Sequence, residues 1–274
     1  MSFPERVYII IIVYNNNFKG MMQMPKKRFS KKYEVHYYEI NSMQEATLLS
    51  LLNYLEDCAI SHSASAGYGV NELMAADSGW VLNRWSIKID RLPKLGETIN
   101  VETWASSFER FYGYREFLVT DGSDKIILKA SSVWIYFNIK KRRPMRIPAE
   151  MGDAYGIDEE RALEQPFTDL DFDFEPDILE EFSVKRSDID TNNHVNNKKY
   201  IDWIMETIPQ EIYDNFKAAS LQIIYKKEAS LGSVIKSGCI IDREHNESPR
   251  LFHKIWDKNT GVELASAETI WNKI

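Results

Sequence analysis

Two stretches of the chain place apolar residues three and four positions apart, the spacing that lines one face of an amphipathic helix. Each stretch follows a strand-like run, residues 33–41 before the first and residues 182–190 before the second. The pattern therefore predicts the same pair of elements, a strand and then a helix, twice in the chain. The helical positions are Leu48, Leu51, Leu52, Leu55 and Ala59 in the first stretch and Tyr200, Ile201, Ile204, Met205 and Ile208 in the second.

The stretches that follow the two predicted helices also match each other. Residues 87–96 parallel residues 223–232, and each ends in a glycine at which one strand should turn into the next. The last predicted strands of the two copies carry Trp134 and Trp271 in corresponding places. Matches in the same order favour an internal duplication over chance similarity. A helix followed by antiparallel strands is an α+β unit in which the sheet wraps the apolar helix.

The composition of the chain changes between the two copies. Residues 139–146 are basic, and residues 153–181 are strongly acidic without periodicity over most of their length. This change predicts an acidic interdomain linker that crosses the surface. The predicted organisation is an N-terminal extension at 1–23, a first domain at 24–148, the linker at 149–178 and a second domain at 179–274.

Composition and charge exclude several classes of protein. With 44% hydrophobic and 27% charged residues the chain is globular, and its net charge of -7 disfavours nucleic-acid binding. The apolar run at 6–14 is shorter than the roughly 20 residues of a membrane span and precedes no cleavage site, so neither a span nor a secretory signal is predicted. The two distant cysteines favour a reducing cytosol, and Cys58 should pack within the first helix.

Common cofactor, metal and nucleophile motifs are missing from the sequence. Gly67 and Gly69 lack the third glycine of a dinucleotide loop, and none of the five histidines has a helical histidine partner at metal-ligand spacing. There is no Gly-x-Ser-x-Gly elbow for a hydrolase serine. We therefore predict neither a cofactor nor a metal.

Polar residues crowd the entry to the second predicted helix, within residues 186–200. A single Asp, Asn or Thr is enough to cap a helix, so this crowding exceeds what a cap requires. The N-terminus of a helix carries free N–H groups and a partial positive charge, which can stabilise a developing oxyanion. The pattern therefore indicates a functional site at this helix rather than a bare cap.

The same residues carry a resemblance to a known family. Residues 188–197 read Asp-x-Asp-x-Asn-x-His-Val-Asn-Asn and lead into Lys-Tyr-Ile-x-Trp-Ile at 199–204. This run resembles the signature of plant and bacterial fatty acyl-(acyl carrier protein) thioesterases. Residues 225–228, Tyr-Lys-Lys-Glu, resemble the second motif of that family, Tyr-Arg-Arg-Glu. The resemblance covers the chain from about Met24 to its end, including the order of the two repeats.

The resemblance implies a fold, a reaction and a set of catalytic residues. The fold is a tandem (double) hotdog, in which two long helices are each wrapped by an antiparallel sheet. The reaction is hydrolysis of a thioester on an acyl carrier protein, whose phosphopantetheine arm carries the acyl chain; it releases a free fatty acid and ends fatty acid synthesis. The catalytic set of the family falls on four residues of the second repeat: Asp190, Asn192, His194 and Glu228.

The first repeat is expected to be catalytically silent, and in related proteins this half shapes the acyl pocket. The residues that replace Asp190, Asn192 and His194 are Asn41, Met43 and Glu45, in that order.

Plant members of the family have a cysteine directly after the glutamate of the second motif, where this chain has Ala229. The chemistry is therefore expected to use water, with Glu228 as general base, or less favourably a direct attack by the carboxylate. Asn192 would orient the water or hold the carbonyl oxygen. His194 would shuttle a proton, while Asp190 orients His194 or fixes the loop.

Three alternatives stay open at this point: an acyl-CoA thioesterase, a hotdog hydratase or dehydratase, and a non-catalytic acyl-binding module. The oligomeric state is open as well, with a homodimer as one option. An acidic carrier would be repelled by the net charge of the chain, so a local basic surface must dock it. The candidate is a basic run, with a solvated start of the linker as its alternative: Lys140, Lys141, Arg142, Arg143 and Arg146.

Overall fold

The computed structural model describes residues 28–190, 194–242 and 248–274, and the predicted extension at 1–23 lies outside them. In these ranges one antiparallel sheet of eleven strands is accompanied by five helices. The strands are β1 Phe29–Glu34, β2 Ser78–Ile89, β3 Thr98–Glu109, β4 Tyr112–Thr120, β5 Ile126–Asn138, β6 Arg143–Pro144, β7 Ile178–Ser183, β8 Phe216–Tyr225, β9 Val234–Asp242, β10 Arg250–Asp257 and β11 Glu263–Lys273. The helices are α1 Leu48–Ser65, α2 Val70–Ala75, α3 Ala149–Tyr155, α4 Asn197–Met205 and α5 Gln210–Asn215.

The strand order is the same in the two halves of the sheet, read from opposite edges. It runs β1-β3-β4-β5-β2-β8-β11-β10-β9-β7, with the short β6 paired to β5. The halves join where β2 pairs antiparallel with β8, and Ser86 lies opposite Gln222. Ser86 and Gln222 directly precede the matched segments 87–96 and 223–232, so they are equivalent residues of the two repeats. A local two-fold axis therefore passes between them. The duplicated α+β architecture is confirmed, with the two sheets joined into one.

The long helix α1 fills the concave side of the first half. Its predicted apolar face is confirmed, because Leu51, Leu55 and Cys58 are buried and pack with Val101 and Phe117 of the sheet. The helix begins where the Thr47 hydroxyl accepts a hydrogen bond from the Ser50 N–H, at 3.1 Å. It ends before Gly67, whose φ of +83° is the left-handed conformation that favours glycine.

The shorter helix α4 fills the second half in the same way. Tyr200, Ile201 and Ile204 are buried as predicted, while Ile208 lies beyond the end of the helix. The two helices touch, because the Lys198 ammonium donates to Asn53 Oδ1 of α1 at 2.7 Å. Residues of both halves therefore share one hydrophobic core.

The predicted linker begins with the helix α3 and has no further helix or strand before β7. It packs on strands of both halves. The Trp104 indole N–H donates to the Glu160 carbonyl at 2.9 Å, and the Thr168 N–H donates to Gln222 Oε1 at 3.0 Å. Residues 149–178 thus lie across the sheet.

Candidate active site

The loop between β7 and α4 carries the predicted catalytic residues and is closed by its own backbone. The Asp190 N–H donates to the His194 carbonyl at 2.8 Å, and the His194 N–H donates to Asp190 Oδ1 at 3.3 Å. A further bridge pairs Ile189 with Val195 on either side of the loop. The Asp190 carboxylate therefore holds the loop closed, which was one of its two predicted roles.

His194 and Glu228, which lie in different motifs, meet in the folded chain. His194 Nε2 lies 3.2 Å from Glu228 Oε2, with the imidazole mostly buried and the carboxylate 45% exposed. His194 precedes Asn196, the N-cap of α4, by two residues. The imidazole therefore stands beside the helix N-terminus and contacts the carboxylate across the site.

The backbone around Glu228 is fixed by groups from the α4 side of the site. The buried Tyr200 hydroxyl accepts a hydrogen bond from the Ala229 N–H at 2.9 Å and donates to the Lys227 carbonyl at 3.4 Å. The Val195 N–H also donates to the Ala229 carbonyl at 3.1 Å. Burial raises the pKa of the Tyr200 phenol to about 12, so the hydroxyl stays neutral and keeps both bonds near pH 7. Sequence reasoning missed this role, because Tyr200 fits the apolar pattern of the helix.

A residue of the first half also reaches the site. Arg142, in the turn between β5 and β6, places its Nη2 3.3 Å from Glu228 Oε2. Its position in the basic run suggested a docking role. The local sequence held no signal for this contact, because it joins residues far apart in the chain.

Of the four predicted catalytic residues, the structure brings three together and does not describe the fourth. Asp190, His194 and Glu228 are linked through the contacts above, whereas Asn192 lies outside the described residues. The N–H groups at the start of α4 are partly used, since the Asn196 side chain accepts from the Lys198 N–H at 3.0 Å. Fewer of these donors are available for an oxyanion than the sequence pattern suggested.

Both cysteines are buried in the core, away from this site. Cys58 Sγ donates to the Val101 carbonyl at 3.4 Å, and Cys239 lies on β9. Burial raises the pKa of each thiol to about 12, so neither forms a thiolate near neutral pH. The prediction that Cys58 packs rather than reacts is confirmed.

Within residues 28–190, 194–242 and 248–274, no group of three or more His, Cys, Asp or Glu side chains is arranged to hold a metal ion. In the same ranges, the helices are all too short or too polar to span a membrane.

Two family models match the chain on either side of the predicted linker. The acyl-ACP thioesterase N-terminal domain matches residues 26–155, and the C-terminal domain of the same family matches residues 173–273. The chain belongs to the acyl-ACP thioesterase family. This confirms the resemblance read from the motifs at 188–197 and 225–228.

Relatives and solved structures of this family align with most of the chain. A dodecanoyl-[acyl-carrier-protein] hydrolase of Cinnamomum camphora is 27% identical over 89% of this chain and 67% of its own. A palmitoyl-acyl carrier protein thioesterase of Gossypium hirsutum is 30% identical over 80% of this chain and 56% of its own. The chain thus spans between 56% and 67% of these two relatives.

Solved structures of acyl-ACP thioesterases share the fold. The 12:0-ACP thioesterase of Umbellularia californica superposes with a TM-score of 0.82 at 25% identity, covering 90% of this chain and 94% of that one. An acyl-ACP thioesterase of Bacteroides thetaiotaomicron gives a TM-score of 0.79 at 26% identity, covering 90% and 98%. The predicted tandem hotdog fold is confirmed.

Proposed function

We propose that this chain hydrolyses acyl thioesters held on an acyl carrier protein and releases the free fatty acid. The observation that carries the proposal is the 3.2 Å contact between His194 Nε2 and Glu228 Oε2, which unites the two motifs of the family in one site. Its relatives, which are named for their action on acyl carrier proteins, support the carrier-bound substrate over a CoA thioester.

In the proposed reaction Glu228 is the general base. It takes a proton from a water molecule, whose oxygen bonds to the thioester carbonyl carbon while the carbonyl oxygen gains negative charge. Collapse of this intermediate breaks the carbon–sulfur bond, and the proton returns to the leaving sulfur. His194 contacts the same carboxylate and can pass that proton. Asn192 would orient the water or hold the carbonyl oxygen.

Water as the nucleophile is supported by the state of the thiols. Cys58 and Cys239 are buried and protonated, and Ala229 stands beside Glu228. Hydrolysis by this chain therefore needs no cysteine nucleophile. A direct attack by the Glu228 carboxylate is the less favoured route. It would form a mixed anhydride and release the thiolate, and attack of labelled water on the glutamyl carbonyl of that anhydride would leave the isotope in the Glu228 carboxylate.

The position of the acyl chain in the first half stays a prediction. A cavity of about 640 Å³ lies beside α3, but charged side chains contribute to its lining, among them Arg110, Arg146 and Arg161. Such a lining does not suit a hydrocarbon chain.

The experiment that tests the function is an assay of the purified chain against matched acyl-ACP and acyl-CoA substrates of several chain lengths. Release of free thiol with a higher kcat/KM on the carrier-bound substrates is expected. A preference for CoA would favour the acyl-CoA thioesterase, and binding without thiol release would favour the acyl-binding module. The two plant relatives are chloroplast proteins, and for this chain the cytosol remains our prediction.

The basic run at 139–146 is tested for carrier docking at two of its exposed side chains. All four side chains at 140–143 are exposed; Lys140 pairs with Asp77 at 2.9 Å and Arg142 contacts Glu228, whereas Lys141 and Arg143 form no ion pair with a described residue. Reversing Lys141 and Arg143 to Glu should raise KM for acyl-ACP about tenfold at low salt, because attraction to an acidic carrier is lost.

This docking effect should fade between about 10 and 500 mM salt, since screening shortens the range of the attraction. Hydrolysis of an uncharged acyl-pantetheine should be unchanged. Reversal of Lys32 and Lys88 on β1 and β2 is the control for net charge. An equal rise of KM in both double variants would contradict docking at this turn.

A further inference from the structure

We infer that Arg142 of the first half is a positioning residue for the Glu228 carboxylate of the second half, an inference that rests on the proposed function. Its Nη2 lies 3.3 Å from Glu228 Oε2, and the two residues are 86 positions apart in the chain. The half that lacks the catalytic set therefore contributes a charged group to the site.

The turn that carries Arg142 is held in place at both ends. Asn138 Oδ1 accepts a hydrogen bond from the Lys141 N–H at 2.7 Å, and Asn138 pairs with Arg143 across β5 and β6. The ammonium of Lys140 is tied to Asp77 at 2.9 Å. Arg142 itself has a φ of +47°, a conformation that is uncommon outside glycine. The backbone of Arg142 is thus fixed by its turn, and the guanidinium is presented to the site.

Two nitrogen atoms, one from each half of the molecule, approach the same oxygen of Glu228. His194 Nε2 and Arg142 Nη2 both lie near Oε2, at 3.2 and 3.3 Å. In the part of the chain that the structure describes, no hydrogen bond is made to Oε1. Contacts on both sides of Oε2 also fix the direction in which the second oxygen, Oε1, points. Oε1 is therefore the oxygen that can accept a proton from water.

Arg142 matters because Glu228 is only half covered. With 45% of its side chain exposed, Glu228 is accessible to solvent, which competes for its hydrogen bonds. Among the residues that the structure describes, Arg142 and His194 contact its carboxylate, and the Tyr200 hydroxyl lies behind its backbone. Arg142 supplies a permanent positive charge among them. Its hydrogen bond limits the rotation of the carboxylate, which a general base needs in order to face its water molecule.

The test compares Arg142→Ala and Arg142→Lys with the control Lys88→Ala, which removes an exposed cation on β2. The substrate is an acyl-pantetheine, which lacks both the carrier and the phosphate, so that docking does not contribute. For Arg142→Ala we expect kcat to fall about tenfold with KM within about twofold, as when a reacting group loses its orientation.

Arg142→Lys should recover part of kcat, since the charge remains but the planar fork is lost. Lys88→Ala should match the wild type in kcat and KM, and equal melting temperatures exclude unfolding as the cause. The inference is overturned if Arg142→Ala keeps the wild-type kcat. It is also overturned if that variant changes only KM for acyl-ACP, which would make Arg142 a docking residue. A wild-type chain without thioesterase activity would refute the proposed function and this inference with it.

Discussion

The loops that precede α1 and α4 share one hydrogen-bonded frame and differ in the chemistry that they can support. In the second half Asp190 and His194 exchange the bonds that close the loop. In the first half the Asn41 N–H donates to the Glu45 carbonyl at 2.8 Å, and the Glu45 N–H donates to Asn41 Oδ1 at 3.1 Å. A short side chain with an oxygen acceptor at the first position is thus enough to form the loop, whether or not the loop is catalytic.

The difference between the halves lies in the side chains that face each other. His194 contacts the Glu228 carboxylate, whereas Glu45 pairs with the Lys217 ammonium at 2.7 Å. The position of Glu228 in the repeat is occupied by Leu92, since 87–96 parallels 223–232. The His194–Glu228 contact, our proposed acid–base pair, is replaced in the other half by an ion pair. The same backbone loop thus carries a proposed catalytic residue in one half and joins the two halves in the other.

The largest effect is expected from removing the acid–base pair of the second half. Glu228→Gln and His194→Ala should each lower kcat by on the order of 10²-fold or more, the loss that follows removal of a general acid or base. Thiol-release assays on acyl-ACP, with melting curves to check folding, provide the measurement.

The matched control for the glutamate is Leu92→Ala in the first half, which removes a side chain at the equivalent position. If Leu92→Ala lost as much kcat as Glu228→Gln, the two equivalent positions would contribute equally to activity, and the proposed difference between the halves would be refuted. Activity within a few-fold of wild type in both Glu228→Gln and His194→Ala would refute the site.

Acid sensitivity offers a second comparison, because each half buries one histidine. Burial lowers the pKa of His253 on β10 to about 3, and burial together with the Arg115 guanidinium lowers that of His62 on α1 to about 3. In the unfolded chain both titrate near 6.5. As the pH falls below about 6.5, the unfolded state takes up protons that the folded state does not, so stability is lost progressively towards pH 3.

Between pH 7 and pH 5, each buried histidine should lower the free energy of unfolding by about 2 kcal/mol. Urea unfolding at both pH values measures this loss in the wild type, His253→Gln and His62→Gln. Each variant should show a loss smaller by about that amount. An unchanged pH dependence in both variants would show that the acid sensitivity comes from other groups.

Sequence predicted those features that depend on local spacing and on repetition. The apolar faces of α1 and α4, the duplicated strand order and the turns at Gly96 and Gly232, which have φ of +76° and +88°, follow from side-chain periodicity and backbone sterics. The motifs also indicated that Asp190, His194 and Glu228 belong to one site.

Contacts made only by tertiary structure could not be predicted in this way. Arg142 reaches Glu228 because β5 and β6 bring its turn to the second half, and nothing in the basic run distinguishes it from Arg143. Tyr200 fits an apolar helical pattern equally well with or without its bonds to the strand end at Lys227 and Ala229. The spacing of residues along one helix or strand does not indicate which distant residue each of them will contact.

The smallest effect is expected from the first-half loop, where Glu45→Gln removes a charge at the position equivalent to His194. Glu45 Oε1 pairs with Lys217, and Glu45 Oε2 is buried without a hydrogen-bond partner among the described residues. Removing the charge weakens the ion pair but also removes a poorly satisfied buried carboxylate, and about a third of the Lys217 side chain can still reach water. The melting temperature should change by only a few degrees.

The rate of the chemical step, measured in single turnovers on acyl-ACP, should stay within about twofold of wild type, because Glu45 does not contact the His194–Glu228 pair. A collapse of that rate in folded Glu45→Gln protein would mean that the first half contributes chemistry beyond the positioning by Arg142.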